Sequence, residues 1–161
     1  MFLMMRPSAK KLYTPQTHLG ILDLEFAYNI SQTSDIINAW QGDKIEAAKK
    51  NTYIDFGLLI FYSAFLFYCC KNLAKIFTGN IHKVGLLLAK GALIAGALDL
   101  FENTGMLITL GGYQSAFIAM STAICASIKW ILAILGILYI LFAGPWAIYL
   151  FIKNRNRLSP K

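Results

Sequence analysis

Charge is scarce in this sequence, at 14 % of 161 residues. An average soluble domain carries ~25 % charged and ~45–50 % apolar residues, whereas hydrophobic residues here reach 57 %. The shortage is uneven. Charges nearly vanish in long apolar runs after residue 52, which argues for membrane spans rather than one large soluble core. Cysteine is scarce too. Cys69 and Cys70 are adjacent and Cys125 stands alone, so no CxxC or zinc-like spacing exists and no metal site is expected. The three read as packing residues in membrane helices, with palmitoylation of Cys69 or Cys70 near a membrane face as the alternative. The two histidines, His18 and His82, fall outside the apolar runs, which excludes an intramembrane haem or metal pair and reads as solvated loop residues. P-loop, dinucleotide, HExxH and nucleophile-elbow motifs are all missing, and no cofactor is expected.

The net charge of +7 does not point to nucleic acid. Basic residues flank apolar runs, the pattern of cytoplasmic loops beside anionic lipid. Residues 1–5 are mostly apolar, but Arg6 and Pro7 end that run too soon for the core of a signal peptide.

Along the chain, residues 1–18 read as an irregular arm broken by Pro7 and Pro15. Residues 19–51 read as a short helical region at or outside the membrane face. Within it, ILDLEFAYNI carries Asp23 and Glu25 and is too short and too charged to span. Thr33 or Ser34 is placed to cap a helix through Trp40, with Gly42 ending it and Asp43 and Glu46 starting the next. Residues 52–152 then hold three spans, at about 52–73, 84–110 and 115–143. Gly144-Pro145 is expected to break or kink the third, and Trp146 begins a last apolar turn or two. Residues 153–161 form a basic tail. The fold class is therefore all-α, a helical membrane bundle with three full transmembrane helices and short N-terminal interfacial helices. Lys71, Lys75, His82 and Lys83 around Gly79-Asn80, together with the tail, place that loop and the C-terminus in the cytoplasm.

The charges inside the spans are few and costly, at ~2.5–3.5 kcal/mol for an Asp or Lys at mid-helix. Counting back from the turns at equal rise puts Asp55 level with residue 103 and Lys129 level with about residue 95. Asp99 lies one turn further, ~6 Å away, within reach of a lysine side chain. Asp99, Glu102 and Asn103 share one helix face at i, i+3 and i+4, continued by Gly91 and Ala95. In the third span Ser115, Ala119, Thr122, Ala126, Lys129, Ala133, Gly136, Ile140 and Ala143 form a stripe of mainly small residues, as tight membrane packing requires. Asp55, Asp99, Glu102, Asn103 and Lys129 are thus expected in one buried polar layer, with Asp23 and Glu25 as an outer cap. Lys90 falls on the opposite face and should snorkel. Three carboxylates against one lysine imply that at least one holds a proton at neutral pH.

The segments ILDLEFAY, INAW, YIDFGLLIFY, ALDLFENTGML and SIKWILAILGILYIL resemble a family of small uncharacterised multi-pass bacterial membrane proteins, over roughly residues 19–142. The most specific piece is Asp99-x-x-Glu102-Asn103 followed by Lys129. Many members carry a further hydrophobic helix ahead of the LDLEFAY-like segment, where this chain has MFLMM. The resemblance implies architecture and a location in the cell (inner) membrane, and no activity.

Three kinds of function remain open. A non-enzymatic membrane subunit that binds other membrane protein subunits is favoured by the short loops and the small-residue face. A proton-coupled transporter or ligand-binding bundle would use the buried carboxylates. A membrane enzyme acting on a lipid would use them as acid and base, an analogy of architecture alone.

Overall fold

A computed structural model describes residues 9–158, with side chains described through residue 154. Among the described residues there is no strand. The helices are α1 (Ile21–Glu25), α2 (Ile30–Ala39), α3 (Asp43–Ala74), α4 (Gly79–Leu110) and α5 (Ala116–Leu158). The all-α bundle with three spanning-length helices is therefore the architecture observed. α3 and α4 each have 32 residues, about 48 Å of helix against a hydrocarbon core of roughly 30 Å. All three long helices are apolar enough to cross a membrane, α5 doing so over Ala116–Asn154.

The described residues pack as two compact units, one from residues 9–61 and 96–129, the other from residues 62–95 and 130–158. The first unit has a core where Leu24, Ile36, Trp40 and Ala48 close on Met106 and Leu110 of α4. Leu12 is fully buried in this core as well. The expected irregular arm is anchored here at Leu12 and Thr17, residues 1–8 of it lying outside the described residues: the Trp40 Nε1–H donates to the Leu12 carbonyl at 2.9 Å and to Thr17 Oγ1 at 3.1 Å. The Ser34 hydroxyl and Gln114 Oε1 make a further tie at 2.7 Å.

The cap of α2 differs from the expectation. Asn29, with extended backbone, caps it by accepting from Gln32 N at 2.9 Å, while the Thr33 hydroxyl donates back to the Asn29 carbonyl. Asn serves as well as Ser or Thr because its side-chain oxygen reaches the same orphan N–H groups. Gly42 adopts a positive φ of 61°, and α3 begins one residue later.

In the second unit, Ala143, Ala147 and Phe77 form a small core with Tyr139 and Leu73 against it. Pro145 does not break the helix. α5 runs through it to Leu158, well into the expected basic tail. Proline forfeits one backbone hydrogen bond, a loss that membrane helices tolerate where neighbouring groups re-satisfy the freed carbonyl. The turn before α4 is shorter than expected, since α4 already starts at Gly79. His82 lies inside α4 and not in a loop. Its Nδ1 is 2.8 Å from the Ala74 carbonyl, so it satisfies the C-terminal end of α3.

Candidate functional site: a lysine among carboxylates

The small-residue stripe of α5 is turned inward. Ala119, Thr122 and Ala126 are buried, and with them Lys129, only 6 % exposed. Close approach is built in at Gly105, where an added Cβ would run into the Thr122 hydroxyl. Residues of this size let α4 and α5 approach closely within the first unit and leave the lysine to face α4.

Lys129 Nζ lies 2.7 Å from Asp99 Oδ1 and 2.8 Å from Glu102 Oε1. Both acids are buried, Glu102 completely. The i, i+3 spacing on α4 presents the two carboxylates one turn apart, so a single ammonium reaches both. Asn103, at i+4 from Asp99, donates from Nδ2 to Asp99 Oδ1 at 3.3 Å and to Asp55 Oδ2 of α3 at 2.9 Å. Asp55 thus joins the cluster through the amide and is half-buried.

The two acids expected as an outer cap part company. Glu25 is buried, and its Oε2 stands 3.7 Å from Lys129 Nζ. It belongs to the cluster. Asp23 instead accepts from Leu19 N at 2.8 Å at an exposed position, fixing the start of its own short helix. Glu25 is carried inward with its near neighbours Leu24 and Ala27, both of which enter the core. Lys90, expected to snorkel, is exposed.

No family model, curated protein or solved structure matches this chain.

The cluster's charge does not balance as it stands. Lys129 Nζ meets three carboxylates, Glu25, Asp99 and Glu102, and a fourth, Asp55, is tied in through Asn103. Removing unpaired charge from water is heavily penalised. Glu102 Oε2 is the buried oxygen in this group that carries no hydrogen bond. Among the described residues, no three histidine, cysteine or acidic side chains are arranged to hold a metal ion.

The cysteines do not gather at this site. Cys70 is buried in the second unit with Sγ 3.7 Å from the Gly136 carbonyl, and Cys69 and Cys125 are partly exposed.

Proposed function

We propose that this protein is a multi-pass protein of the cell membrane without catalytic activity. In this reading the lysine cluster fastens the N-terminal helices to the spanning helices and so presents a fixed surface to another membrane protein subunit. One observation carries the reading: Lys129 Nζ contacts Asp99 and Glu102 on α4 and Glu25 on α1 at once. A contact of that kind specifies one arrangement of its elements, because breaking any arm strands a buried charge. Large apolar side chains such as Phe117, Phe142 and Phe151 face outward from α5, available to lipid or to a partner helix. The basic loop and tail support a cytoplasmic C-terminus. Purification from native membrane in a mild detergent tests the reading. A stoichiometric membrane partner is expected. A monomer that retains no other protein would reject it.

A second reading, proton-coupled transport, is favoured by the surplus of carboxylates and the unbonded Glu102 Oε2. Reconstituted vesicles test it by comparing proton or solute flux in wild type, Asp99→Asn and Glu102→Gln. Absent flux, or flux unchanged by both substitutions, rejects it.

A further inference from the structure

All eight acidic residues of the sequence lie in the first unit. The second unit contains none. Its formal charges are all basic, and Lys71, Lys75 and Lys153 are among them. Within this unit the C-terminal parts of α3 and α5 enclose a groove of about 580 Å³. Leu73 of α3 and Ile76 just beyond it line one side, and Gly144, Ile148 and Phe151 line it from α5. Space is open at Gly144, where a Cβ would meet nothing within 4 Å.

We propose that this groove binds one acyl chain of an anionic phospholipid, whose headgroup is held by the lysines beside it. The apolar lining suits a hydrocarbon chain, and Asn72 adds a polar group to it. Asn72 Oδ1 accepts from Lys75 Nζ at 3.3 Å, which sets an ammonium at the edge of the groove. Lys71 precedes Asn72 directly, and its Nζ lies 5.1 Å from the Phe67 ring centroid. On α5, Lys153 follows the groove-lining Phe151 by two residues and stands 5.8 Å from the Tyr149 ring. Nothing acidic in this unit competes with a phosphate for these cations. Basic pockets between membrane helices recognise anionic headgroups by this charge complementarity. A zwitterionic headgroup would gain little from it.

The test uses the full chain, delipidated in detergent and titrated with phosphatidylglycerol or phosphatidylcholine under native mass spectrometry. Wild type should bind phosphatidylglycerol about tenfold more tightly, the scale expected for one or two lysines near a headgroup. Lys71→Gln with Lys75→Gln, both outside the buried core, should erase that preference while phosphatidylcholine binding persists. Gly144→Leu should weaken both lipids by filling the groove. Equal affinity for the two lipids in wild type would overturn the proposal, as would a preference that survives in the double variant. A covalent acyl group on Cys69, which also lines the groove, would overturn it too, and hydroxylamine would reveal it by releasing the chain.

Discussion

The carboxylate of Glu25 stands 3.7 Å from the ammonium of Lys129. The first belongs to a five-residue helix, the second to the interior of a 43-residue helix. This pairing makes a short, charged segment part of the buried structure. It also makes the energetic role of Lys129 separable from that of other lysines.

Lys129→Ala should lower stability by about 3–5 kcal/mol, because it leaves buried carboxylates without their counter-charge. Lys90→Ala should leave the melting temperature where it is, since Lys90 is exposed. Thermal melting of the two variants in the same detergent decides the matter. Equal melting temperatures would refute the clustering of charge on Lys129.

Glu25 and Lys129 should be energetically coupled, and Asp23 and Lys129 should not. A double-mutant cycle with Glu25→Gln and Lys129→Met is expected to give about 0.5–3 kcal/mol of interaction energy. The same cycle with Asp23→Asn should give none beyond error, because Asp23 bonds to Leu19 N. Denaturation of the four variants in each cycle provides the measurement.

Glycine positions supply a contrast inside the second unit. A Cβ at Gly85 would collide with the Tyr139 hydroxyl and come within 2.8 Å of the Ala74 Cβ. Gly85→Ala should therefore cost about 1–3 kcal/mol through overpacking. Gly144→Ala, with open space around it, should be tolerated. Loss of stability on Gly144→Ala with none on Gly85→Ala would invert the expectation.

Much of the cluster was legible in the sequence because helical periodicity is rigid. Asp99, Glu102 and Asn103 must share a face, and the small residues flanking Lys129 must share another. Counting rise from the turns placed Asp55 beside Asn103, where a 2.9 Å hydrogen bond now joins them. Glu25 escaped this logic. Its segment is too short for periodicity to have force, and its position depends on distant packing among Leu24, Trp40 and Met106. Asn29 was passed over as a cap for a similar reason, since Thr33 and Ser34 offered the same chemistry a few residues on. Pro145 leaves the helix unbroken because proline stops helices in water more reliably than in an apolar setting.

The ion cluster also bears on how the chain is made. A helix entering a bilayer alone with a lysine at its middle loses ~2.5–3.5 kcal/mol, and one with an acid loses a comparable amount. The acids of α4 emerge from the ribosome before Lys129 does, with only a short turn between the helices. The cost falls if the two segments leave the translocon as a hairpin, already paired. Asp99 and Glu102 then act during synthesis as a retention signal, holding α4 at the insertion site until α5 arrives with Lys129.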